Sequence, residues 1–127
     1  MKLLNNKITY RIIVPIYMLG ILRFSFQQYP ASHHAGQTEQ FIKNFLHMPA
    51  YGVLTYLIIK CFTSLKPRVY LDSFIIAYLF GVINEIIQAT VPTRTASFSD
   101  TVVNGIGAIL ALVFVYKYED VKSRRNK

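Results

Sequence analysis

The sequence predicts an all-α protein, a four-helix transmembrane bundle with both termini cytoplasmic, and three observations carry that prediction. Four strongly apolar stretches follow one another, at about residues 8–26, 45–61, 70–90 and 101–116, each apolar all round rather than along one stripe. Hydrophobic residues make up 53% of the chain and its mean hydropathy is +0.33, above the soluble average. Basic residues cluster at alternate ends of the stretches, the pattern of short loops in a multi-pass membrane protein. The 127 residues are read as one domain.

The first stretch has an uncharged core between Arg11 and Arg23, whose side chains can snorkel to the interfaces, and Pro15 kinks it. Its basic start and apolar run lack a small-x-small cleavage pattern, so it reads as a retained anchor rather than a signal peptide. From Gln27 to Asn44 the chain is polar without period and reads as a loop, with room for a short interfacial helix near Glu39. The second stretch is uncharged between Lys43 and Lys60, with Pro49 expected in its first turn. The third is apolar except for Asn84, Glu85 and Gln88, and Pro92 stops it. The fourth is uncharged. Each core falls short of the roughly 18 apolar residues of an ideal span, but four in succession are hard to reconcile with soluble amphipathic helices.

With the N-terminus inside, Lys2, Lys7, Arg11, Lys60, Lys66, Arg68, Lys117, Lys122, Arg124, Arg125 and Lys127 fall on the cytoplasmic side, and only Arg23, Lys43 and Arg94 fall outside. This bias sets the orientation. It also accounts for the net charge of +8, since anionic lipid attracts such flanks. No helix presents a basic face, so nucleic acid is not an expected partner. Cys61 is alone, which excludes an internal disulfide and a Cys-based zinc cluster. His33 and His34 lack further ligands at metal spacing, so neither a metal nor a cofactor is expected.

The polar residues left inside the apolar stretches carry the functional reading, because an ionisable group at the centre of a membrane helix costs about 2.5–3.5 kcal/mol. In the predicted topology His47, Glu85, Gln88, Arg94, Asp100 and Asn104 all approach the outer surface. Glu85 and Gln88 are spaced i, i+3 and Asp100 and Asn104 i, i+4, so each pair shares a helix face. Glu85 lies roughly 7 Å below the outer end of its helix at 1.5 Å per residue, with a side chain directed inward. It is either a structural ion pair, with Arg94 or His47 as partner, or a carboxylate facing a ligand or handling protons. Asp100, three residues after Ser97, fits a capping box as well as ligand contact. Arg94 meets either lipid phosphate or a bound anion. Gly105, Ala108 and Ala111 form a small-residue face suited to helix packing or to a homo-oligomer. Asp72 reads as a helix N-terminal charge.

Taken together, His47-Met-Pro-Ala-Tyr51-Gly52-Val-Leu54, Gly81-x-x-Asn84-Glu85-x-x-Gln88, Val91-Pro92-x-Arg94-x-Ala96-Ser97-x-x-Asp100 and Asn104-x-x-Gly107-Ala108 resemble the VanZ-like family of small bacterial membrane proteins. Many members carry an acidic residue and a Lys just before the His; Lys43 and Asn44 stand here without the acid. The resemblance implies a four-helix integral protein of the bacterial inner membrane, a link to teicoplanin resistance, and His47, Glu85, Gln88, Arg94, Asp100 and Asn104 as the functional set. It implies no defined chemistry.

The leading expectation is a cell-envelope protein with an outward-facing pocket for a lipid-linked or other anionic headgroup. An intramembrane acid–base enzyme acting on a phosphoester, with His47 and Glu85 as base and acid, is the alternative from a different class; no nucleophile is assignable. A small structural subunit of a membrane complex is the third.

Overall fold

Helices form at all four apolar stretches: α1 (Lys7–Ser25), α2 (Gln37–Lys60), α3 (Pro67–Ala89) and α4 (Phe98–Arg125). The computed structural model describes residues 7–25, 37–62, 66–91 and 98–126, with the backbone alone for residues 37–44. The loop expected before the second stretch is helical from Gln37 onward, because Gln, Glu and Lys are good helix formers that extend α2 by two turns. Pro49 therefore sits in the interior of α2 rather than in its first turn, as Pro15 does in α1. Each proline removes one donor from the helical ladder, a defect tolerated where neighbouring helices surround it. Helix α3 opens as proline chemistry predicts, with Lys66 extended at the N-cap and Pro67 following. Asp72 is not in its first turn; it pairs with Arg68 one turn back at 3.6 Å. Helix α4 outruns its apolar core, its charged end supported by Arg124 and Asp120 at 3.0 Å.

Cross-helix contacts give the topology. Ser25 of α1 meets Gln88 of α3, and Tyr17 of α1 donates from its hydroxyl to the Ala50 carbonyl of α2 at 3.1 Å. Gly52 and Lys60 of α2 lie against Gly107 and Glu119 of α4, so α2 and α4 run parallel. Tyr78 and Tyr70 of α3 lie against Gly105 and Tyr116, so α3 runs antiparallel to α4. The helices alternate in direction along the chain, and the start of α1 and the end of α4 share one end of the bundle.

Helix α2 is the centre. It touches each of the others, most extensively α4, whereas α1 and α4 do not touch among the described residues. Its Tyr51, Leu54, Thr55 and Ile59 are fully buried. Among the described residues three helices, α1, α3 and α4, are long and apolar enough to cross a membrane. Helix α2, expected as a further span, is not among them, because its first two turns are polar; its apolar run has a buried side, with Tyr51, Leu54, Ile58 and Ile59, and an exposed one, with Phe45, Leu46, Val53 and Tyr56.

The solvent logic is inverted relative to a soluble protein. Ile12, Ile16 and Leu19 of α1, Leu79, Ile83 and Ile86 of α3 and Ile109, Leu110 and Phe114 of α4 point outward, while Asn84, Glu85, Gln88, Asp100 and Asn104 are buried. An apolar exterior around a polar interior suits lipid as the surrounding medium.

The end of the bundle opposite the buried carboxylates holds Cys61, half-buried with its thiol on the Leu57 carbonyl. Burial pushes this thiol up, with Arg11 partly opposing, so labelling is best run at mildly alkaline pH. With that end cytoplasmic, as the basic residues predict, an impermeant maleimide should label Cys61 in inverted vesicles and not in intact cells. Labelling of intact cells alone would invert the orientation.

Candidate functional site

Helix α3 builds the site from a buried stripe at helical spacing: Ser73, Ala77, Gly81, Asn84, Glu85 and Gln88. Small residues occupy its first half and polar ones the half near its C-terminus. Ala77 clusters with Tyr51, Leu54 and Ile58 of α2, Gly81 stands against Tyr51 and Asn104, and the polar half follows. From α4 come Asp100 and, one turn deeper, Asn104, both buried. From α2 come His47 and, one turn deeper, Tyr51, their rings stacked at 6.4 Å. Tyr51 continues the aromatic column inward to Phe80 at 6.2 Å.

Gly81 is the point where the three helices meet. A Cβ there would stand 3.1 Å from Tyr51 Cε1 and 3.3 Å from Asn104 Nδ2, tighter than ordinary contact, so a side chain would displace one of them. Beside this contact the Tyr51 hydroxyl lies against Asn84 and within electrostatic reach of Glu85. Its approach to Asn84 is near enough for a marginal bond but falls outside good hydrogen-bond geometry.

The six residues singled out in the sequence fall as follows. His47, Glu85, Asp100 and Asn104 gather at one end of the bundle, on three helices, as the topology predicts. Gln88 is at the same end, but its amide donates to Ser25 Oγ at 3.1 Å, and that hydroxyl in turn donates to the Ile21 carbonyl at 2.9 Å. Its donor is thus engaged in tying α3 to α1. Asp100 accepts from Ser99 Oγ at 3.4 Å in the first turn of α4, where the helix dipole favours a carboxylate. Arg94, Ser97 and the histidines His33 and His34 lie outside the described residues.

Three residues at this end had no role assigned from sequence. Tyr51 and Asn84 stand in the motifs quoted above, four residues from His47 and from Gln88, and helical spacing alone puts each on the face of its neighbour. Ser25 carried no signal, since nothing in a serine at a helix end says which helix it will meet.

The small-residue face of α4 packs within the chain. Gly105 sits against Tyr78, Ala108 is fully buried, and Gly107 lies so close to the Met48 carbonyl that a Cβ would overlap it. Of Gly105, Ala108 and Ala111, only Ala111 borders an open surface, an apolar groove of about 620 Å³ between α2 and α4. The groove runs from Phe45 and Met48 to Tyr56 and Phe114.

An apolar-walled bundle with polar side chains buried between its helices defines a multi-pass membrane protein. The chain belongs to the VanZ/LLP1 family, whose model matches residues 3–118. No curated protein and no solved structure shows significant similarity to it.

Proposed function

We propose that this VanZ-like protein sits in the bacterial plasma membrane and binds the anionic headgroup of a lipid-linked or cell-wall precursor at the outward-facing end of its bundle, thereby altering susceptibility to glycopeptides such as teicoplanin. The observation that carries this reading is the gathering of His47, Glu85, Asp100 and Asn104, from three helices, at one end of an otherwise apolar bundle. Buried polar groups in a membrane helix persist where something uses them.

Arg94, in the connection between α3 and α4, holds the anion, since a guanidinium suits phosphate or carboxylate bidentately. Glu85, Asp100 and Asn104 orient the hydrogen bonds around it, Gln88 braces α3 against α1, and His47 stands at the rim. A lipid-linked ligand is favoured over a free one by the groove between α2 and α4. Its carbon-lined wall begins at Phe45 and Met48, beside His47, and runs along the membrane-embedded half of α2.

The test is binding of dodecyl methyl phosphate, a singly charged diester, to the purified protein in mild detergent. Arg94→Ala should weaken it by about tenfold or more, the loss expected for a charge-assisted pair of hydrogen bonds. In cells the same substitution should remove the protein's effect on teicoplanin susceptibility at unchanged protein level. Unaltered binding and susceptibility would reject the reading.

A further inference from the structure

Three side chains deep in the polar end have hydrogen-bonding capacity that the described residues do not use. Asn84 of α3 and Asn104 of α4 are 0% and 1% exposed, and neither the nitrogen nor the oxygen of either amide has a hydrogen-bond partner. The hydroxyl of Tyr51 of α2, equally buried, lies against the Asn84 amide, near enough for one marginal bond between the two but outside good hydrogen-bond geometry. The three come from three helices and lie together: Tyr51 and Asn104 both stand against Gly81, and Asn84 is the next residue along that face of α3, beside the Tyr51 hydroxyl.

An amide buried without partners gives up its bonds to water and gains none in return, and an apolar residue of the same shape packs better. Two such amides, with a phenol that reaches only one of them and marginally, are therefore a loss in stability that packing does not explain. Their chemistry says what would complete them. Each amide offers two donors and an acceptor, the phenol one of each, and none carries charge. A bare anion only accepts and an ammonium only donates, so either would leave half of this set unused. An uncharged group that both donates and accepts satisfies it.

We propose that Tyr51, Asn84 and Asn104 are the inner wall of the headgroup site and bind an uncharged donor–acceptor group of the ligand, a hydroxyl or an amide, deeper than the anion. The proposal rests on the headgroup reading above and adds to it the part of the ligand that Arg94 does not touch. Gly81 is the residue that lets Tyr51 and Asn104 come together on this face of α3, since a Cβ there would press on both.

The test compares three dodecyl phosphodiesters of equal charge: the methyl ester, which has no donor, the glycerol ester, which adds hydroxyls, and the N-acetylethanolamine ester, which adds an amide. The purified protein should bind the glycerol or the acetylethanolamine ester about tenfold more tightly than the methyl ester, and whichever gains names the group. Asn84→Leu should bind the methyl ester like the wild type and lose that gain, while Asn104→Leu, whose amide also serves the anion, should lose the gain together with part of the methyl-ester affinity. Without any ligand both should melt at the same temperature as the wild type or up to about 4–8 °C higher, because a buried unpaired amide has been replaced by hydrocarbon. Tyr51→Phe removes one oxygen only and should lose part of the gain with the fold undisturbed.

Retention of the full gain in all three variants overturns the proposal. So does a fall of several degrees in the melting temperature of both leucine variants, which would mark the amides as structural. Binding of the methyl ester with no gain for the others overturns this proposal and leaves the headgroup reading standing. Binding of the extended esters but not of the methyl ester supports this proposal and removes the anion from the reading.

Discussion

Gly107→Ala should leave little folded protein. A Cβ on Gly107 would overlap the Met48 carbonyl oxygen and stand 2.9 Å and 3.0 Å from the Met48 carbonyl carbon and Cα. All three atoms are backbone, inside a helix and next to Pro49, so no rotamer change relieves the contact. Helices α2 and α4 would have to separate, along the most extensive interface in the bundle. Overpacking a core costs about 1–3 kcal/mol where side chains can give way, and the cost belongs at or above the top of that range where they cannot. Close approach through glycine is also what membrane helices depend on, since lipid offers no hydrophobic drive toward association. Gly105→Ala, which meets only the Tyr78 ring at 3.2 Å, should be milder. Gly20→Ala, with nothing within 4 Å, should be neutral or stabilising by up to about 1 kcal/mol through helix propensity. Thermal melts of the three in one detergent, read by circular dichroism, check the ranking. A Gly107→Ala protein that melts like the wild type would mean that α2 and α4 do not meet at this point.

The sequence was most informative where periodicity had few competing explanations. Uninterrupted apolar runs made the four helices legible, and the spacing of Glu85, Gln88, Asp100 and Asn104 made the shared end of the bundle legible once alternation in direction was assumed. Helix boundaries were less so. The start of α2 at Gln37 was hidden because polar residues without period look alike in a loop and in a solvated helical turn. That error also misplaced Pro49. The centrality of α2 could not be read at all, since hydropathy marks an apolar run without saying which other helices pack against it. Likewise the role of Gly107 depends on which backbone it touches, a fact that belongs to the partner helix. Gly105 and Ala108 announced a packing face without saying that the partner lies within the same chain. Gln88 shows the limit for polar residues: its spacing put it correctly on the Glu85 face, but its bond to Ser25 depends on how α1 returns beside α3.

Glu85→Gln should separate stability from function more cleanly than any other substitution in the chain. The side chain is 5% exposed, about 6 Å from the end of α3 at 1.5 Å per residue, in a helix whose outer face is Ile83 and Ile86. Burying a carboxylate there carries a desolvation cost that an amide of the same shape avoids in large part. Were the group only a spacer or a neutral hydrogen-bonding strut, Gln would serve as well and fold at least as firmly. On the proposed headgroup reading the acid serves through its charge or its proton, at the end of the bundle it shares with His47, Asp100 and Asn104. The variant should accumulate to wild-type level, melt at the same or a higher temperature, and lose the proposed effect on teicoplanin susceptibility. Glu85→Asp keeps the charge but withdraws it by one methylene, and should retain part of the effect, because buried sites are sensitive to displacements of about an ångström. A structural ion pair predicts a different pattern. Removing one partner of such a pair strands the other charge and costs about 3–5 kcal/mol, so Glu85→Gln would melt earlier and function would fall only in proportion to the protein lost. The melting temperature and the susceptibility of this one variant, measured side by side, distinguish the two roles without knowledge of the ligand.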